Sequence, residues 1–244
     1  MNGRRAGTVL LAAVGVGFAG CADETTDGSS SGSSEQAGSP IPVITGAALF
    51  EDTFDDDRNG WGIGDDPEFG STDFHGGDYV WSLTGSMSHW LPEVLGAQYD
   101  SGELNMMDVV VRAEVTIVEG QGVAGVFCRE NPDTDAEWQW YEFVAREGFA
   151  AIRLADAEGN IETLDETDQV DVPSGEPVTL EASCIDRADG VAQLSLSLDG
   201  SAVLSTTHDD QLGNGVSGLQ AYTFPAHEQL DVRWHEFTVH HAEQ

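Results

Sequence analysis

The chain has 244 residues, of which 40% are hydrophobic, enough to bury the core of one β-sandwich. Acids outnumber bases 44 to 9, every base is an arginine, and the formal net charge is −35. So negative a surface excludes nucleic acid as a partner and excludes direct docking on anionic lipid, because both require positive charge.

In chain order, the first segment is a leader. Arg4 and Arg5 give it a charged start, and an apolar run from Ala6 to Ala19 follows, too short for a comfortable membrane span. It ends in Phe18-Ala19-Gly20-Cys21, which resembles a bacterial lipobox, with Phe18 in place of the usual leucine. The expectation is a signal peptide over 1–20 and a lipidated Cys21 on the outer side of the cell membrane. Each buried methylene of such a lipid contributes about 0.8 kcal/mol, so two or more chains anchor stably. Residues 21–42 are dominated by Ser, Gly, Thr and acids and read as a flexible tether.

From residue 43 to 244 the pattern is that of strands. Runs rich in Val, Ile, Thr, Leu and aromatics alternate with polar residues, and Gly, Asp, Asn and Pro interrupt them. The alternation predicts strands over 47–50, 78–83, 108–118, 123–129, 139–145, 149–154, 161–164, 178–186, 192–198, 201–208, 215–222 and 230–240. Gly159-Asn160, Asp189-Gly190 and Asp199-Gly200 fall between such runs, where positive-φ hairpin turns belong. Leu194, Leu196 and Leu198 point one way along their strand and Ser195 and Ser197 the other, giving one buried and one wet face. Many strands buried on one side, with no helical periodicity, imply an all-β, two-sheet antiparallel sandwich. Cys128 and Cys184 lie in two predicted strands of an exported chain, either as a disulfide or as two separate buried thiols.

Several segments together resemble the concanavalin A-like, laminin-G-like jelly-roll domains of bacterial lipoproteins and secreted proteins. Phe54-Asp55-Asp56-Asp57-Arg58-Asn59-Gly60-Trp61 is similar to their opening signature, and Gly125-Val126-Phe127-Cys128-Arg129 to an inner strand. Tyr141-Glu142-Phe143 with Gly148, Leu198-Asp199-Gly200, Gly215 to Leu219, and Trp234 to Val239 match later motifs in order. The closing segment departs from the pattern, with His235-Glu236 for Asp-Asn. The resemblance implies a jelly roll whose concave face binds glycans, and its relatives include 3-keto-disaccharide hydrolases.

Three chemistries follow from the residues. In a strand, Trp138, Trp140 and Glu142 share a face opposite Tyr141 and Phe143, and Arg129 alternates away from Cys128 toward that same face. An aromatic surface with a carboxylate and a guanidinium suits sugar stacking and hydroxyl recognition. The expected ligand-binding residues are therefore Arg129, Trp138, Trp140 and Glu142, with Arg129 and Glu142 paired across strands, and the expected partner is a glycan or cell-envelope polysaccharide. Asp55, Asp56 and Asp57 either ligate calcium or are simply solvated; no other cofactor is expected. His235-Glu236 with His240 is one residue too long for a zinc H-E-x-x-H motif, and in a strand those two histidines face opposite sides. The principal expectation is a non-catalytic carbohydrate-binding module; the alternatives are a keto-disaccharide-type glycoside hydrolase and a protein-interaction or sensory domain.

Overall fold

The computed structural model describes residues 44–67, 70–84, 88–90, 107–130, 139–156, 159–209, 212–224 and 229–243. The strands in chain order are β1 (Ile44–Asp52), β2 (Gly64–Asp66), β3 (Gly70–His75), β4 (Asp78–Leu83), β5 (Ser88–Trp90), β6 (Val109–Gly120), β7 (Gly122–Glu130) and β8 (Gln139–Arg146). They continue with β9 (Phe149–Asp156), β10 (Ile161–Thr167), β11 (Pro177–Asp186), β12 (Ala192–Leu198), β13 (Ser201–His208), β14 (Val216–Thr223) and β15 (Leu230–Glu243). All described residues fall in one unit, Pro40–Gln244.

Alternation produces these strands directly. In β12, Leu194, Leu196 and Leu198 are buried while Ser195 and Ser197 are half-buried, as a two-residue period requires. The β12–β13 hairpin turns on Asp199 (φ 48°) and Gly200 (φ 73°), both in the left-handed region that this turn demands. Three strands escape the sequence pattern: β2, β3 and β5. The β2 residues Gly-Asp-Asp are all exposed at a sheet edge, so no apolar alternation announces them.

Two antiparallel sheets form. The larger runs β13-β12-β11-β6-β15-β4-β3-β2, with β1 also paired to β15; the smaller runs β10-β9-β8-β7-β14-β5. Alternate residues of both sheets build one core, including Val111, Val115, Leu180 and Leu196 from the larger and Val126, Tyr141, Phe143 and Leu219 from the smaller. The Cys128–Cys184 disulfide joins β7 to β11 across this core.

The opening Phe-Asp-Asp-Asp…Gly-Trp signature has a structural role here. Phe54 (φ 57°) is buried, and its ring centroid lies 5.3 Å from that of Trp61. Asp52 fixes the turn: one carboxylate oxygen accepts the Phe54 amide at 2.8 Å, the other the Trp61 indole N–H at 2.6 Å. Satisfying both donors lets an indole be buried at no polar cost.

Candidate functional site

The side of the smaller sheet that faces away from the shared core is itself dry. All nine residues of β7 and all eight of β14 are buried, as are the central six of β8. A sheet wet on one face would alternate. Register defines the outward rows: Gly218, Phe127, Glu142 and Arg153 lie side by side, and Gln220, Gly125, Val144 and Ala151 form the next row.

A bulge corrects the expectation for Arg129. Phe127 is opposite Gly218 and Glu130 opposite Val216, so Cys128 and Arg129 together face Ser217 alone. Two residues against one keep both side chains on the same side and reset the alternation. Arg129 adopts φ 61° and follows Cys128 inward instead of facing Glu142. Its guanidinium is fully buried, 2.6 Å from Asp186 on β11, and donates to the carbonyls of Met107 and Leu212. Arg129 is therefore a strut between the sheets. The same bulge returns Glu130, which sequence alternation gives no reason to choose, to the side of Phe127 and Glu142, where it too is fully buried.

Glu142 is fully buried at the centre of the outward face. The Trp140 indole N–H donates to its Oε1 at 3.3 Å, so these two predicted residues do meet. Trp140 packs with Phe127 and Ala155 outside the shared core but is only 5% exposed, which replaces the expected open stacking shelf with a covered ring. Opposite Glu142 stands Arg153, whose Nη1 donates to the Tyr222 hydroxyl. Burial pushes the Tyr222 phenol well above its ordinary range, and the Glu142 charge pushes it further, so it remains a neutral hydroxyl between an acid and a guanidinium. Gln220, 1% exposed, has neither its amide oxygen nor its amide nitrogen hydrogen-bonded. Buried amides without partners are rare enough to mark a place for water or ligand.

At one end of the sandwich Arg146, the next outward position of β8 after Val144, lines a pocket of about 830 Å³ with Gln121, Glu147, Ser174 and Phe224 and with Ile117 and Val172 of the shared core. That volume lies within the roughly 300–1,000 Å³ typical of ligand sites. Phe224 also packs on the outward cluster of Val123, Val144, Ala151 and Tyr222, so one ring borders both the pocket and the outward face.

Trp138 lies outside the described residues. Asp55, Asp56 and Asp57 are all exposed and do not converge: Asp55 accepts from Thr53 at 3.0 Å and Asp56 pairs with Arg58 at 2.7 Å. No group of three or more potential ligating side chains occurs among the described residues. His235 is more engaged than a surface residue, with Nδ1 2.8 Å from Asp78 and Nε2 2.8 Å from Thr116.

Comparison with solved structures agrees with this architecture. A protein of unknown function with a galectin-like fold from Bacillus subtilis is similar at TM-score 0.59 and 14% identity, over 83% of this chain and 100% of that one. A non-specific endo-β-1,3(4)-glucanase from family GH16 gives TM-score 0.52 and 10% identity, over 82% of this chain and 95% of that one. The Bacillus licheniformis β-glucanase gives 0.50 and 10%, over 82% of this chain and 100% of that one. The described domain is thus a concanavalin A-like jelly-roll sandwich. No family model matches the chain, and no curated protein matches it.

Proposed function

We propose that this domain binds carbohydrate on the outward face of its smaller sheet, entering through the Arg146–Phe224 pocket, and that lipid on Cys21 displays it outside the cell. The carrying observation is the Trp140–Glu142–Arg153–Tyr222 constellation with the unpaired Gln220 amide beside it. Carboxylate, amide and neutral phenol are the groups that read vicinal hydroxyls, and the rings beside them complement sugar C–H faces. The fold is shared with glucanases, but fold alone assigns no function, so the reading rests on the site. Full chain applied to an array of neutral and acidic saccharides is expected to bind a restricted set, and Glu142→Gln or Tyr222→Phe to weaken it. An array with no bound saccharide removes the proposal. Fatty-acid labelling that persists in Cys21→Ser removes the anchor.

One observation favours a hydrolytic reading: Glu130 and Glu142 are buried on adjacent strands of the same face. Glycoside hydrolysis uses two carboxylates, about 5–5.5 Å apart for retention or about 6.5–9.5 Å for inversion. Product release from the bound saccharides, abolished in both Glu130→Gln and Glu142→Gln, identifies an enzyme; binding without turnover identifies a module.

A further inference from the structure

Arg146 and Glu147 are the two charged residues that line the pocket, and Arg146 is held differently from most arginines of the described residues. In a chain of 44 acids and 9 arginines, most arginines in the described residues stand near an acid. Arg58 is 2.7 Å from Asp56, Arg129 2.6 Å from Asp186, Arg187 3.0 Å from Asp189 and Arg233 3.8 Å from Asp78. Arg146 differs. Its Nη1 donates to the Glu147 backbone carbonyl at 3.2 Å, not to that residue's carboxylate, and its buried Nε has no hydrogen-bond partner.

What holds Arg146 is aromatic. Its guanidinium carbon lies 5.3 Å from the centroid of Phe149 and 5.3 Å from that of Phe224. Arg153 stands over the same Phe149 ring, also at 5.3 Å. Two guanidiniums and two rings thus form a ladder that runs from the pocket to Tyr222. Rings attract a guanidinium without neutralising it, so the fork stays oriented and its charge remains available. Arg153 has Glu142 as its register neighbour; Arg146 has no such acid opposite, since its β9 partner is Phe149.

We propose that this pocket receives a carboxylate-bearing sugar, a hexuronic-acid unit, with the carboxylate on Arg146 and the ring against Phe224. The inference rests on the carbohydrate reading of this face and adds the charge of the ligand. A guanidinium binds a planar carboxylate through two parallel hydrogen bonds, and Ser174 and Gln121 line the same pocket with hydroxyl and amide groups. The chain's own charge chooses among anions. A protein at −35 repels a ligand in proportion to the ligand's charge, which favours a singly charged carboxylate over a phosphate dianion.

The test is a calorimetric titration of the full chain with D-glucuronate, D-glucose and D-glucose 6-phosphate, beside the saccharide array. D-glucuronate is expected to bind best. Arg146→Gln is expected to weaken it by at least about tenfold and Arg146→Lys by less, with melting curves showing both variants folded. Neutral saccharides that bind while D-glucuronate does not, or binds Arg146→Gln equally, or is surpassed by the phosphate, overturn this inference and leave the carbohydrate reading intact. No saccharide of any charge bound overturns both.

Discussion

The outer faces of the two sheets differ in a way that shared architecture does not require. On the larger sheet many outward positions are at least partly wet, the polar Arg112 and Glu114 and the apolar Val118 on β6, Glu181 on β11, Ser195 and Ser197 on β12, while Val110, Thr116, Ser183 and Thr238 are buried. On the smaller sheet the central outward positions Val123, Phe127, Trp140, Glu142, Val144 and Gln220 are all buried, and the flanking Arg146, Phe149 and Arg153 are half-buried. The first face is what an antiparallel sheet presents to solvent. The second combines apolar packing with a carboxylate, a phenol and an amide, a composition that packing alone does not call for. That composition sets the second face apart as the one equipped for a ligand.

The joint between the sheets should cost most to break. The disulfide closes a loop with a sequence separation of 56, for which chain entropy gives about 4 kcal/mol. Denaturant unfolding with and without reductant should show that loss in both sheets together, because Cys128 and Cys184 sit in opposite layers. A reductant-insensitive midpoint would mean that the core alone carries the joint.

Paired truncations test the contrast of faces itself. Val144→Ala, at a fully buried outward position of the smaller sheet, should cost about 2 kcal/mol through lost packing and a small cavity. Val118→Ala, at an outward position of the larger sheet that is 36% exposed, should stay within about 0.5 kcal/mol. Equal costs in urea unfolding would erase the distinction.

Alkaline pH probes the same contrast with a smaller effect. Burial raises Tyr79, in the core beneath the larger sheet, to about 12, and raises Tyr222 on the outward face of the smaller sheet. A folded state that holds a phenol proton more tightly than the unfolded chain keeps its full advantage below the unfolded pKa of about 10. It loses that advantage as pH rises toward the folded value, by up to about 1.4 kcal/mol per pH unit for each group. Stability should therefore be insensitive to these tyrosines from pH 7 to about 9.5 and fall above about 10. Tyr79→Phe and Tyr222→Phe should each make that fall shallower. If only Tyr79→Phe does so, the Tyr222 hydroxyl is in water and the outward face is open.

The parts of this molecule that were legible in the sequence are those governed by local alternation. The Leu194–Leu198 strand, the Asp199-Gly200 turn and the inward Tyr141 and Phe143 follow from a two-residue period. The same period places Glu142 beside Trp140. It fails at Arg129, because a left-handed arginine in a bulge carries no sequence mark, and one such residue exchanges the facing of Arg129 and Glu130. Arg153 and Tyr222 were not legible either. Their hydrogen bond spans 69 residues, and only the pairing of β14 with β7, β7 with β8 and β8 with β9 brings them to one place.

The smallest effect, and the most informative, belongs to Gln220. A buried amide with both polar atoms unpaired is a standing cost to the fold, so an isosteric apolar side chain should relieve it. Gln220→Leu is expected to raise stability by about 1 kcal/mol while reducing saccharide binding, whereas Gln193→Leu at a half-buried position of β12 should change neither beyond about 0.5 kcal/mol. Gain of stability with loss of binding is the signature of a polar group retained for a ligand. Loss of stability in Gln220→Leu would show that the amide serves the fold through an ordered water, and would move the recognition chemistry back to Glu142 and Tyr222 alone.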